Sequence, residues 1–248
     1  MPIDVASIER AVFPIIRRRW YGTLEELCGT GSFLYEDSLF ITCAHLMEGG
    51  PAGEPKADYL IAPYPFDLAN LMPIEWKIID FDVDLALGTV PSLGKPPPGL
   101  LPVAVRMVPP EGSGITVPGF SSQMIRNGGL LVDRATIKHV DGVCVGHQHE
   151  FKPSMGGYEP KRFPVLVTTP PLKRGFSGAP VIDDEGNLAG VHSMSTTSDA
   201  PDGRSMNVRL DVVANIINLV GGHIDEAEYD RMHADFSQHS PDQLIEGV

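Results

Sequence analysis

Three stretches of the 248-residue chain carry side chains that could do chemistry together. The first is Lys173 to Ser193, KRGFSGAPVIDDEGNLAGVHS, in which Ser177 stands two residues after Gly175 and directly before Gly178. A serine hydroxyl is a weak nucleophile at neutral pH unless a neighbouring base takes its proton. The stretch GTGSFLYEDSLFITCAHLM supplies a candidate base, His45, just past an apolar run. The stretch DFDVDLALGTV supplies carboxylates at Asp80, Asp82 and Asp84, whose alternation is expected to put them on one side of a strand. Asp84 is preferred because it alone precedes the apolar run Leu85-Ala86-Leu87 that would bury it, with Asp82 as second choice. Serine nucleophiles need a base within hydrogen-bond reach and a carboxylate that holds that base in one tautomer, and the three commonly come from distant parts of a chain.

The elements that must position these groups read as β-strands. The 26 glycines and 23 prolines punctuate short runs rich in Val, Ile, Leu, Phe and Thr, which is the pattern of an all-β protein. Strands are expected over 12–16, 32–35, 38–43, 58–62, 75–80, 85–90, 115–118, 130–140, 165–169, 179–182, 188–192 and 205–210. Glu36-Asp37 and Asn127-Gly128-Gly129 are hairpin signals. A short C-terminal helix is expected over 212–220, where apolar residues recur at helical spacing ahead of Gly221-Gly222. The Pro- and Gly-rich segment 92–114 divides the chain, giving units at 10–106 and 107–221 and an acidic tail at 222–248.

Bulk properties narrow the classes. With 42% apolar and 21% charged residues the chain has an ordinary globular composition. A formal charge of −13 disfavours nucleic acid and anionic membrane surfaces, which attract Lys and Arg. The one basic cluster, Arg17-Arg18-Arg19, is expected to be a solvated strand end. The N-terminal residues carry acids early and arginines late, the reverse of a secretory signal, so a cytoplasmic protein is expected. Cys28, Cys43 and Cys144 form no motif and are expected as reduced, buried thiols. Cys144, His147 and His149 could approach one another on a strand, but no fourth ligand is apparent. No metal or cofactor is expected, and no Gly-rich phosphate loop opens a helix.

The motifs Thr42-Cys43-Ala44-His45, Asp84-Leu85-Ala86-Leu87 and Gly175-Phe176-Ser177-Gly178-Ala179-Pro180 together resemble those of the trypsin-like serine peptidases. They occur in that family's order, 39 and 93 residues apart (45 to 84, 84 to 177). The resemblance spans about residues 10 to 220. It implies two antiparallel six-stranded β-barrels, with His45 and Asp84 in the first and Ser177 in the second. It further implies a serine endopeptidase acting on peptide or protein substrates through an acyl-enzyme, with Ser177 as nucleophile, His45 as general base and acid, and Asp84 as its orienting carboxylate. The N–H groups of Gly175 and Ser177 would form the oxyanion hole. Secreted members carry an Asp before the nucleophile that pairs with a newly cleaved amino terminus. Phe176 stands there, so that switch is excluded, and Leu46 replaces the cysteine that usually follows the catalytic histidine. Both departures are similar to a bacterial branch of high-temperature-requirement proteases and glutamyl endopeptidases. The short remainder after Val220 is expected to hold no peptide-binding domain of the former type.

Gly190-Val191-His192 resembles the stretch of glutamyl endopeptidases whose histidine lines the specificity pocket. His192, Ser193, Met194 and Leu172 are therefore expected to contact substrate, with Glu or Gln preferred before the scissile bond. A small apolar preference is the alternative, and Leu172 occupies the place where those families carry a second hydroxyl donor. A different class of function also fits the sequence. It is a protein-binding module of the same fold, with an idle site or one gated by a regulatory protein partner.

Overall fold

The run Val12–Arg19 is buried along its first five residues and surfaces at its arginines. It is the first of fourteen strands in the computed structural model, which describes residues 5–19, 24–34, 39–47, 57–94, 109–127, 130–151, 163–196, 203–209 and 211–213. A helix α1 (Val5–Ala11) precedes β1 (Val12–Arg19), β2 (Leu24–Phe33), β3 (Phe40–Thr42), β4 (Ala57–Ile61), β5 (Met72–Pro73), β6 (Glu75–Asp80) and β7 (Leu85–Thr89). After these come β8 (Gly114–Phe120), β9 (Gln123–Asn127), β10 (Ile137–Phe151), β11 (Phe163–Thr169), β12 (Pro180–Asp183), β13 (Leu188–Ser195) and β14 (Ser205–Arg209). Among the described residues no helix is long and apolar enough to cross a membrane.

The strands form two antiparallel sheets. The second closes as a six-stranded barrel in the order β10-β11-β14-β13-β12-β8. The first runs β5-β4-β1-β2-β3-β7-β6, with β9 added against β2. Its two ends, β5 and β6, are separated in the chain by Ile74 alone, whose N–H donates to Tyr59 O of β4 at 3.2 Å. Residues 72–80 therefore act as one bent strand paired with β4 on one side and β7 on the other, so the path closes on itself as a second barrel of six. Closure leaves few free edges on many short strands. The all-β, trypsin-like fold expected from the sequence is the fold observed.

Aromatic rings fill the first barrel. Phe13 lies 4.5 Å from Phe33 and 5.2 Å from Phe40, and Trp76 bridges Phe40 and Tyr59 at 5.7 and 5.9 Å. Full burial of each such side chain stabilises by roughly 1.5–3 kcal/mol. Trp76 is thus half-buried against this core. The arginines at the end of β1 are not simply solvated as expected. Arg17 pairs with Glu26, and Glu25, 2% exposed, receives Arg18 at 2.6 Å and Arg126 of β9 at 3.0 Å. A buried carboxylate needs such partners, which explains why β9 adds to β2.

Other expectations need adjustment. The strand expected over 130–140 begins only at Ile137, because Leu130 and Leu131 are 44% and 60% exposed and form no more than a single bridge, Arg126 with Leu130. Asp80, Asp82 and Asp84 do not share a strand face. β6 ends at Asp80, whose carboxylate accepts the Asp82 N–H at 2.8 Å, and 81–84 is a turn. The C-terminal helix is described only at 211–213, and the acidic tail lies outside the described residues.

Candidate active site

His45 sits in a single 3-10 turn, Ala44–Leu46, that follows β3. β3 pairs with β7, Thr42 opposite Ala86, so the turn after one strand meets the turn before the other. That meeting brings Asp84 onto His45. The His45 backbone N–H donates to Asp84 Oδ1 at 2.9 Å, and the ring Nδ1 lies 3.0 Å from Oδ1 and 2.8 Å from Oδ2. Asp84 is wholly buried and adopts φ +57, a left-handed conformation that an Asp tolerates at a cost of about 1–2 kcal/mol.

The electrostatics of the pair fix its protonation. Burial pushes the Asp84 carboxyl up. The His45 charge, the His45 hydrogen bonds and the Ser193 hydroxyl, which donates to Oδ2 at 2.5 Å, more than reverse this and hold it below the ordinary value. Burial pushes the imidazole down, and the Asp84 charge and hydrogen bond more than reverse that, so His45 is raised above its ordinary value. An ionised carboxylate only accepts, so Nδ1 carries the proton that it shares with Asp84 and Nε2 is the ring's remaining basic nitrogen. The side chain is 28% exposed, open enough to meet a substrate.

Ser177 belongs to a loop whose peptide planes are individually held. The Phe176 N–H donates to Lys173 O at 3.2 Å across a turn in which Gly175 has φ +96, a conformation that favours glycine. A Cβ at Gly175 would also lie 2.2 Å from Ser122 N. Arg174 O accepts the Ser122 N–H at 2.8 Å, which turns the Gly175 N–H to the opposite side of that peptide. Phe176 O accepts the Ala179 N–H at 2.8 Å, which does the same for the Ser177 N–H. The Phe176 ring is buried with Val117, Leu172, Ala179 and Val181 in the second barrel, so apolar packing anchors the residue before Ser177.

Ser193 links the two halves of the site. Its hydroxyl is on Asp84, and its carbonyl accepts the Ser177 hydroxyl at a long 3.5 Å. His192, its neighbour on β13, is 2% exposed, and its Nδ1 lies 3.0 Å from Asn207 Oδ1. Asn207 Nδ2 donates to Leu166 O at 2.9 Å and Thr168 Oγ1 at 3.0 Å, so its Oδ1 is the atom facing the ring. Nδ1 is then the protonated nitrogen of His192. Burial, chiefly, lowers its pKa to about 4. The Leu172 N–H donates to Ser195 Oγ at 2.8 Å and Ser205 Oγ at 3.1 Å, while Met194 is half-buried at the end of β13.

Sequence reasoning gave no role at the site to Thr30, Thr42 or Asn207, and expected Cys43 only as a reduced, buried thiol, which it is. Cys43 donates to His192 O at 3.0 Å, and burial, then the Asp84 charge, raises its pKa well above the ordinary thiol value. Cys43, His45 and Asp84 have ligand-type atoms all within 4.8 Å of one another, a set able to hold a metal ion in principle, but the thiol stays protonated as a donor. The Cys144 grouping is described only in part. Cys144 is buried and donates to Pro109 O at 3.4 Å, His147 is exposed, and the His149 side chain lies outside the description. All three cysteines are free thiols, and Cys28 is only half-buried.

This architecture and site define a class, the two-barrel serine peptidases, and comparison with known proteins agrees. The chain matches the family model of the trypsin-like peptidase domain over residues 29–191 and belongs to that family, which makes it a serine endopeptidase. No curated protein matches it significantly. Among solved structures it is similar to the active form of the Rv3671c protease from M. tuberculosis. The TM-score is 0.65 at 20% identity, over 89% of this chain and 85% of that one. It is also similar to a serine endoprotease from Yersinia pestis, with a TM-score of 0.60 at 14% identity, over 89% of this chain and 67% of that one.

Proposed function

We propose that this protease cuts peptide bonds with Ser177 as nucleophile, His45 as proton carrier and Asp84 as its orienting anion. The observation that carries the reading is the buried Asp84 carboxylate, fixed by both the backbone and the ring of His45 and by Ser193. Ser177 Oγ attacks the carbonyl carbon while its proton passes to His45 Nε2. The carbonyl oxygen becomes an oxyanion facing the N–H groups of Gly175 and Ser177, and loss of one such donor costs about 3 kcal/mol in the barrier. Collapse breaks the C–N bond as Nε2 returns the proton to the leaving amine, which leaves an acyl group on Ser177. Water then attacks that ester, giving its proton to Nε2, and the carboxylic acid departs as Oγ regains a proton.

For the residue before the scissile bond, the resemblance to glutamyl endopeptidases points to Glu or Gln, and the tautomer of His192 divides the two. A neutral ring with its proton on Nδ1 offers Nε2 as an acceptor. It suits the amide NH2 of Gln, whereas a Glu carboxylate brings only acceptors.

Labelling by a fluorophosphonate probe, located by peptide mass spectrometry, tests the triad. Wild-type protein is expected to label at Ser177, with labelling abolished in Ser177→Ala and strongly reduced in His45→Ala. Wild-type protein that labels no faster than Ser177→Ala would return the fold to the binding-module reading.

A further inference from the structure

We propose that the Thr30 hydroxyl is a positioning group for the oxyanion hole, holding the nucleophile loop of the second barrel from within the first. This rests on the serine-protease reading above. Thr30 lies on β2 and is wholly buried. Its N–H donates to Ser177 O at 2.8 Å, and its hydroxyl donates to Gly175 O at 2.8 Å while accepting the Phe120 N–H at 3.1 Å. Its own carbonyl accepts the Thr42 hydroxyl at 2.7 Å, three residues ahead of His45. Each carbonyl from Arg174 to Ser177 is thereby bonded. Ser122 takes the first, Thr30 the second and fourth, and Ala179 the third.

Two of those four tethers come from one residue, and they flank the segment that carries both oxyanion donors. The peptide after Gly175 cannot rotate without breaking the bond to the Thr30 hydroxyl. Rotation there would carry the Gly175 N–H and the Ser177 N–H off their common target, because neighbouring planes share the Gly175 Cα, where φ is already +96. The hydroxyl does what no backbone group at that place could do, since the Thr30 N–H and C=O are already committed elsewhere. It also ties in the end of β8 at Phe120, so β2, β8 and the nucleophile loop meet on one oxygen.

The test replaces the hydroxyl at nearly constant volume. Thr30→Val removes both side-chain hydrogen bonds, and Thr30→Ser keeps them. Thr30→Val is expected to lose about 10- to 100-fold in kcat with KM changed less than about threefold, assayed well below its unfolding temperature. Thr30→Ser is expected to retain most activity. Affinity for a peptide boronate, whose adduct fills the oxyanion hole, falls by the same factor as kcat. The pH midpoint of kcat/KM does not move, because His45 and Asp84 are untouched. In glycine-labelled protein the Gly175 amide exchanges faster in Thr30→Val than in wild type or Thr30→Ser. A folded Thr30→Val with kcat, boronate affinity and Gly175 exchange within about twofold of wild type would overturn the proposal. Should Thr30→Val not fold, the deuterium isotope shift of the Gly175 carbonyl carbon in wild type reads the same bond, and its absence overturns the proposal. Wild-type protein inert to peptides and probes would sink the triad reading instead, while the Gly175 measurements would still decide the role of Thr30.

Discussion

The turns that carry His45 and Asp84 and the loop that carries Ser177 are held by different physics. The first pair is fixed by charge. A buried carboxylate gathers an imidazole, a backbone N–H and a hydroxyl, and each bond is strengthened by the low dielectric around it. Among the described residues no ion pair holds the Ser177 loop. It is fixed by neutral bonds to successive carbonyls, two of them from Thr30, and by the burial of Phe176. On the proposed mechanism the difference follows the task. A proton carrier needs a tuned pKa, which only a nearby charge and burial can set. An oxyanion hole needs two N–H vectors aimed at one point, which only fixed peptide planes can set.

The comparison breaks most sharply on the charged side. Asp84→Asn keeps the shape and removes the anion, so kcat is expected to fall by about 10⁴-fold while KM changes little. The sign of the accompanying pH effect follows from the two opposing influences on His45. Burial lowers its pKa and Asp84 raises it further, so wild-type kcat/KM should rise through a midpoint above the ordinary imidazole value and then level off. Without the anion, burial acts unopposed and the residual activity should show a lower midpoint. A pH profile of kcat/KM for both proteins measures this, and a midpoint unmoved by the substitution would mean that Asp84 does not tune His45.

How much of this was legible in the sequence follows the same division. The contact of His45 with Asp84 and the glycine-bounded turn at Ser177 were readable because each of the three residues lies in a local motif whose neighbours carry the pattern. β6 was readable over the residues it occupies, Glu75 to Asp80, because it is a short run containing Trp76, Ile78 and Ile79 that alternates with polar residues over its first four positions. Asp84 was found for a sound reason, the apolar run behind it, but in the wrong local setting. It ends a turn at positive φ and does not sit on a strand. Thr30 was not readable, because its partners at Gly175 and Ser177 are 145 and 147 residues away (30 to 175, 30 to 177) and it lies outside the strand expected over 32–35, although β2 includes it. β9 was missed for the same reason. Of QMIRN only Ile125 is fully buried, and the strand exists because Arg126 answers Glu25 across the sheet. The seven residues of α1 are too few for a periodic pattern to declare itself.

On the neutral side the comparison is sharpened by crowding. Gly178 has φ +85, and a Cβ there would lie 2.1 Å from Thr42 Oγ1 and 2.2 Å from Thr30 O. Gly112 has the same φ of +85 with nothing within 4 Å. Gly178→Ala is expected to destabilise by about 3–5 kcal/mol, since it adds overpacking to backbone strain, against about 1–2 kcal/mol for Gly112→Ala, which adds strain alone. Urea unfolding of the two variants separates the terms. Equal losses would show that the Thr30–Thr42 contact yields freely, and the loop would then be less tightly held than its hydrogen bonds imply.

The smallest expected effect lies where the two kinds of restraint meet, at His192. The ring belongs to the second barrel, yet it sits within electrostatic reach of His45 and Asp84. Its depressed pKa of about 4 means that between there and the ordinary value near 6.5 the unfolded chain holds more protons than the folded one. The stability it contributes is therefore complete above about pH 6.5 and lost as pH falls towards 4, on the order of 3 kcal/mol in all. An NMR titration of the imidazole carbons reads the midpoint directly. The same neutrality predicts the substrate preference. At pH 7.5 a peptide with Gln before the scissile bond is expected to be cut about tenfold faster in kcat/KM than its Glu counterpart, because a carboxylate placed against a bare Nε2 leaves both groups unsatisfied. As pH falls the ratio should narrow, since protonated His192 can donate to Glu, and the loss of His45 activity cancels between the two substrates. Cleavage only after Val, Ala or Leu, or a Gln-to-Glu ratio that is flat with pH and unchanged in His192→Ala, would confine His192 to its bond with Asn207 and leave the pocket to be shaped by Leu172 and Met194.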